Sequence, residues 1–98
     1  MDRLGAFCIP AAHPCLAGHF PGRPVVPGVV LLDEIVSILA ATYPGRLAGL
    51  PRVKFTHPVS PQQDVAVHAA AGQGGRVAFL CRVGERDVLA GTLLLGPV

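Results

Sequence analysis

The sequence predicts a single α+β domain on three observations: one apolar helix of about four turns, a proline-rich lead-in, and a following series of short strands spaced by turn residues. The first element is a mixed apolar run over residues 3–9, ended by Pro10, which reads as one strand. Five prolines then fall at Pro10, Pro14, Pro21, Pro24 and Pro27. Each removes a backbone donor and restrains the residue before it, which excludes helix and central strand from this stretch. From Gly28 to Thr42 only Asp33, Glu34 and Ser37 break the run of apolar residues. That pattern predicts a helix apolar around most of its circumference, and such a helix is expected to be enclosed by other elements. Tyr43-Pro44-Gly45 stops it. Residues 50–57, 64–71, 76–82 and 87–95 read as strands. Gly72-Gln73-Gly74-Gly75 and Gly84-Glu85-Arg86 supply hairpin connections, so consecutive strands are expected to pair antiparallel in a meander.

With 98 residues the chain suffices for one domain, taken as 1–98, and not for two. Apolar residues make up 51% and charged residues 14%, with a mean hydropathy of +0.53. These values exclude intrinsic disorder and leave more apolar surface than one chain can hide, so a partner chain is expected. The longest apolar stretch, 25–32, is far short of the roughly 20 residues that span a bilayer, and Met1-Asp2-Arg3 opens no signal-peptide pattern. The expectation is a soluble, cytoplasmic protein with no membrane contact. The net charge of +2 comes from basic residues spread along the chain without a run, and five aromatic residues offer little stacking surface, which argues against nucleic acid. Cys8, Cys15 and Cys81 are an odd number at wide spacing and fit neither a disulfide framework nor a paired zinc site, so they read as buried, packed thiols. His13, His57 and His68 lack metal-ligand spacing and read as surface or edge residues, so no metal is expected.

The chemically richest stretch is Gly18-His19-Phe20-Pro21-Gly22-Arg23-Pro24-Val25-Val26-Pro27-Gly28, which feeds the helix. An imidazole titrates near neutrality, so His19 in a proline-stiffened loop can take a proton and return it. Gly28 stands at the helix N-terminus, where unpaired N–H groups and the helix dipole polarise a carbonyl, and where glycine permits close approach of a ligand. Asp33 follows five residues later, about 7–8 Å along the axis at 1.5 Å per residue. A carboxylate on so apolar a helix is costly unless paired or functional. Glu34, about 100° further round, is expected to point elsewhere as a solvated or interface residue. Cys15 reads as packed rather than nucleophilic. Arg23, Arg46, Arg52 and Lys54 read as a basic patch or a solvated face.

The pattern His19-Phe20-Pro21-Gly22-x-Pro24-x-x-Pro27-Gly28, with Asp33 fourteen positions after the histidine, resembles the β-hydroxyacyl-acyl-carrier-protein dehydratases of the hotdog fold. Val53-Lys54-Phe55-x-x-Pro58-Val59-x-Pro61 is similar to that family's strand and turn after the central helix. The chain departs from the family where Gln62-Gln63 replaces its Gly-Asp. The resemblance implies an antiparallel sheet wrapped around the helix and a homodimer or a multiple of dimers. It implies that His19 removes the α-proton of a 3-hydroxyacyl thioester while Asp33 of the facing subunit assists loss of the β-hydroxyl as water. It also implies that Gly28, Phe20 and Pro27 contact the substrate, that no cofactor or metal takes part, and that the partner is an acyl carrier protein with its acyl group on phosphopantetheine. Asp33 in place of the commoner Glu resembles the branch that also isomerises the double bond. Fatty-acid-like, polyene or polyketide synthesis is the implied setting. An acyl-thioesterase on the same fold and a non-catalytic acyl-binding subunit remain as alternatives.

Overall fold

The structure of the protein is a computed structural model that describes residues 1–16 and 24–97, apart from the Cys15 side chain. Its elements are β1 (Asp2–Phe7), a 3-10 turn (Pro14–Leu16), α1 (Gly28–Thr42), β2 (Arg46–Phe55), β3 (Val65–Ala71), β4 (Arg76–Val83) and β5 (Arg86–Gly96). The α+β class and both ends of the helix agree with the sequence. β2 starts earlier than expected, because Arg46, Leu47 and Gly49 pair with Gly96, Leu95 and Leu94 of β5. Strand pairing of this kind is a tertiary effect that the weak β-propensity of Ala48-Gly49 does not announce. No helix among the described residues is long and apolar enough to cross a membrane.

All five strands join one antiparallel sheet in the order β1-β3-β4-β5-β2. The hairpins between β3, β4 and β5 stand as expected. Gly74 and Gly75, with φ of 67° and 78°, lie between the Gln73 carbonyl and the Arg76 N–H that donates to it at 3.2 Å. A turn with two positive φ values is the I′ form that suits a hairpin's twist. The expected meander does not extend to β2, however, which crosses to the far edge beside β5. The connection out of β2 carries Pro58 and Pro61, too long and stiff for a tight hairpin, and it runs across one end of the sheet. Hydrogen bonds fix that crossing. Thr56 N and His57 N both donate to Val88 O at 3.0 and 3.4 Å, Val26 N donates to Val59 O at 2.8 Å, and Gln62 N donates to Ile9 O at 2.8 Å. Pro51 within β2 is tolerated because β2 is an edge strand.

The core forms on one side of the sheet. Leu31, Ile35 and Leu39, four residues apart on α1, are buried with Val65, Val67 and Ala69 of β3, Val77, Phe79 and Cys81 of β4, and Leu89 and Leu93 of β5. The alternate burial along β3 and β4 is the period-two signature of a half-covered sheet. The sheet takes up most of the helix surface: Leu31, Ile35 and Leu39 are buried and Val30, Leu32, Val36 and Ile38 pack partly buried against the core, while the stripe of Val29, Asp33 and Ser37 faces outward, with Val29 73% exposed. The expectation of buried cysteines holds for Cys81 and fails for Cys8, which is exposed just past β1 where the chain leaves the sheet. Desolvation by burial pushes the Cys81 thiol up to about 12.

Gln62 has φ 67°, the single positive φ outside glycine among the described residues, at the place where the similar family carries glycine. Left-handed backbone costs a non-glycine residue about 1–2 kcal/mol, and part of that gain is offset by glycine's extra unfolded-state entropy. Gln62→Gly is therefore expected to stabilise the fold by about 0.5–1 kcal/mol, read as a higher denaturation midpoint at unchanged slope. For the cysteines, an alkylating agent near neutral pH is expected to label Cys8 in the folded protein and Cys81 only on unfolding. Because the folded pKa of Cys81 is raised, its contribution to stability is complete below the unfolded value of 9.0 and is lost as pH climbs towards about 12. Denaturation curves across that range check the sign.

Candidate active site

The N-terminus of α1 is built from the backbone alone. Pro27 is the N-cap residue, at φ −58° and ψ 142°, and no side chain hydrogen-bonds the cap. Its carbonyl accepts from Val30 N at 3.0 Å and from Leu31 N at 3.3 Å. The N–H groups of Gly28 and Val29 precede the first intrahelical bonds, so they lie at the positive end of the helix dipole, as the sequence predicts for Gly28. The Val26–Val59 hydrogen bond holds the strand-like segment before the helix against the crossing from β2.

Between these two segments lies an open cleft of about 400 Å³, lined on its apolar side by Val25, Val26, Leu31, Phe55 and Val59 and completed by Gly28, Thr56, His57 and Pro58, so that His57, expected as a surface or edge residue, is exposed at this cleft. Phe55 ends β2 opposite Leu89 of β5 and so shares the helix-facing side of the sheet. A Cβ on Gly28 would lie 2.7 Å from Phe55 Cζ and 3.0 Å from Cε1. Glycine does permit close approach here, and in this chain the approaching group is the Phe55 ring. Sequence reasoning missed Phe55 as a site residue, although it stands inside the Val53-Lys54-Phe55-x-x-Pro58 signature. Spacing along a strand gives no hint that its side chain reaches a helix N-terminus.

A second groove, of about 440 Å³, runs between α1 and β2 and is bordered by Val29, Asp33 and Glu34, by Leu47 and Leu50, and by His13. Asp33 is exposed on the outward stripe, and Glu34 is half-buried. Glu34, 100° further round the helix, borders the same groove as Asp33. His13, expected as a surface or edge residue, is a half-buried groove residue, held in a tight turn by His13 N donating to Pro10 O and Leu16 N donating to His13 O, both at 3.0 Å.

Gly28 and Asp33 thus occupy one helix, Gly28 at its tip and Asp33 on its open face, and Pro27 caps it. His19, Phe20 and Arg23 lie outside the described residues. The single basic patch is not formed by the remaining members. Arg46 starts β2, and Arg52 and Lys54 lie near its other end, on the order of 20 Å away at the rise of a strand. Lys54 pairs with Ala90, one residue on from the buried Leu89, which puts it on the sheet face away from α1. Among the described residues no group of three or more metal-ligating side chains occurs. Gly28→Ala is expected to change stability by less than about 1 kcal/mol, because the half-exposed Phe55 ring can swing aside and Ala is the better helix former, while displacing the ring from the helix tip. In a Phe55→Ala background the same change is expected to stabilise by up to about 1 kcal/mol, and a double-mutant cycle of denaturation curves measures the difference as the coupling between the two residues.

The family model described as ApeI-like, ApeI dehydratase, matches residues 3–92. Curated relatives named 3-hydroxyacyl-[acyl-carrier-protein] dehydratase FabZ include one from Moorella thermoacetica, 33% identical over 94 residues that cover 80% of this chain and 64% of the relative. Another, from Haemophilus influenzae, is 37% identical over 79 residues that cover 68% of this chain and 53% of the relative. The chain therefore spans about half to two thirds of the length of these relatives. Among solved structures, the dehydratase heterocomplex ApeI:P from Xenorhabdus doucetiae superposes with a TM-score of 0.76 at 22% identity, over 92% of this chain and 82% of that one. A fluoroacetyl-CoA-specific thioesterase superposes at 0.58 with 16% identity, over 94% of this chain and 82% of that one. At these identities the likeness concerns the fold, which is the hotdog arrangement that the motif implies. Since the family match runs from the first strand into the last, over nearly the whole domain, the chain belongs to the ApeI-like dehydratase family.

Proposed function

We propose that the protein dehydrates 3-hydroxyacyl thioesters carried on the phosphopantetheine of an acyl carrier protein, giving trans-2-enoyl thioesters and water. The observation that carries this reading is that the His19-to-Gly28 motif ends, in sequence, at the first residue of α1, whose open face presents Asp33 in the groove beside β2. Family membership and the printed names of the FabZ relatives support it. His19 takes the α-proton, and the N–H groups at Gly28 stabilise the charge that gathers on the thioester oxygen. Asp33 of the facing subunit assists loss of the β-hydroxyl: the C–O bond breaks as the electron pair of the C–H bond becomes the double bond, and the hydroxyl leaves as water with a proton equivalent to the one His19 takes up. Phe20 and Pro27 flank the substrate. The thioester itself acidifies the α-carbon, so no metal or cofactor enters the step.

A homodimer or a multiple of it completes the site in this reading. Val29, Leu47 and Phe55 are large apolar residues left 49–73% exposed along α1 and β2. A second copy covers them and brings its own motif to Asp33. The setting is cytoplasmic, in fatty-acid-like, polyene or polyketide synthesis.

His19→Ala and Asp33→Ala are each expected to lower the rate of enoyl formation at least about 100-fold, while Glu34→Ala keeps most activity. Circular dichroism confirms that each variant is folded. Mixing the two inactive variants, with subunit exchange verified by mass, is expected to restore activity. Exchange without recovery would sink the shared site, and a monomer by light scattering would sink the homodimer. Product mass decides the reaction: loss of water supports dehydration, free thiol supports a thioesterase, and tight acyl binding without product supports a non-catalytic subunit.

A further inference from the structure

The two faces of the sheet carry different chemistry. α1 and the core lie on one of them, and the side chains of the other are half-buried or exposed. Register places one row across all five strands on this outer face: Arg3 opposite His68, His68 opposite Leu80, Leu80 opposite Ala90, and Ala90 opposite Lys54. The neighbouring row is Ala70, Ala78, Thr92 and Arg52. Alternation fixes the face, because Val67, Phe79 and Leu89, adjacent in the chain to members of the first row, are buried on the other side. Arg3 stands at one margin with His68 beside it, and Arg52 and Lys54 stand at the other, the three cations exposed. Between the margins the floor is Ala78 and Leu80 of β4 with Ala90 and Thr92 of β5. Arg76 lies opposite Leu94 at one end of that floor, and at the other Arg82 Nε donates to Asp87 Oδ1 at 2.6 Å. Arg46, opposite Gly96 and next to the core-side Leu47, extends the β2 margin. Within the described strands Asp87 is the single acidic residue on this face, and Arg86, opposite the core-side Val83, is the single basic residue off it. The cations that form no compact patch along β2 thus share a face with those of β1 and β4.

We infer that this outer face is a docking surface for an acidic amphipathic helix of a partner protein, seated along β4 and β5 between the two basic margins. Strands about 4.8 Å apart put β3 and β2 about 14 Å from each other, and a helix with its side chains is about 10–12 Å across. An apolar stripe on such a helix meets Ala78, Leu80, Ala90 and Thr92, most of them short enough for close approach. Carboxylates on its two sides meet Arg3 and His68 at one margin and Arg52 and Lys54 at the other. A second copy of the same face would set cations against cations, which repulsion disfavours. These rows carry no aromatic side chain to enter a bilayer or to stack on bases. The homodimer of the proposed function covers Val29, Leu47 and Phe55 on the α1 side and leaves this face open. Docking here therefore stands independently of the dehydratase reading.

The probe is a stapled helical peptide of about fourteen residues, long enough at 1.5 Å per residue to run from Arg76 to Arg82, with an Ala/Leu stripe flanked by Glu. Its binding to the full chain is followed by calorimetry at physiological salt, beside a peptide of the same composition shuffled to remove the stripe, duplex DNA and phosphatidylserine vesicles. The striped peptide is expected to bind one per protomer, and the shuffled one about tenfold or more weakly. Arg3→Glu with Lys54→Glu is expected to weaken the striped peptide by about tenfold or more, while Arg86→Glu stays within about twofold. Ala90→Gln, which raises the floor without changing charge, is expected to weaken it as well. No binding of the striped peptide, equal binding of the shuffled one, or an effect of Arg86→Glu equal to that of Lys54→Glu alone overturns the inference. Tighter binding of the DNA or the vesicles than of the striped peptide overturns it too. A fall in assembled mass by light scattering in the Arg3→Glu, Lys54→Glu variant would assign the face to a second copy instead. Should Ala90→Gln fail to fold by circular dichroism, the charge variants at exposed positions decide the outcome.

Discussion

The seating of Leu31, Ile35 and Leu39 on the sheet is the contact from which the remaining geometry follows. Each of these side chains is buried, and truncating a buried Leu or Ile to Ala typically costs about 2–5 kcal/mol, a large share of a small domain's stability. Their four-residue spacing admits one rotational setting of α1. Turning the helix by two residues, about 200°, would carry Asp33 and Ser37 from its outer face to the sheet, where an unpaired carboxylate is penalised heavily. Burial of one stripe therefore presents the other, and Val29, Asp33 and Ser37 face outward as a consequence of packing.

Position along the helix axis is set differently. The crossing that leaves β2 is pinned to Val88 of β5, while Val59 within it accepts from Val26, so the end of the sheet and the start of α1 are tied through one segment. Gln62 closes the far part of that segment onto Ile9, and does so in a left-handed conformation that glycine would adopt more cheaply. Gly28 is held within reach of Phe55 by these ties. The missing Cβ is what lets the ring lie over the helix tip without displacing either backbone.

Edge position gives β2 a double character. Its inner margin closes the sheet against β5, and its outer margin, with Leu47 and Phe55 half-exposed, borders the groove and the cleft that flank α1. Pro51 and the shifts in register around Gly49 bend such a strand and limit indiscriminate edge pairing. The charged residues do not follow the groove. Lys54 alternates to the other face, so the walls next to α1 are mainly aliphatic, with Asp33, Glu34 and His13 as the polar groups of the groove.

Sequence by itself determined the helix from Gly28 to Thr42, the β3–β4–β5 hairpins, the placement of Gly28 at a helix tip and the family motif, because each depends on local chemistry: apolar periodicity, proline and glycine backbone limits, and fixed spacing. Tertiary structure alone decided that β2 pairs with β5 instead of β3, that the stripe of Val29, Asp33 and Ser37 is the part of the helix left open, that Glu34 shares the groove of Asp33, and that Phe55 lies over Gly28. Those outcomes depend on contacts between residues far apart in the chain. Phe55 and Gly28 are separated by most of a helix and a whole strand, and no pattern within either element encodes their meeting; the pinned crossing and the one-sided core do.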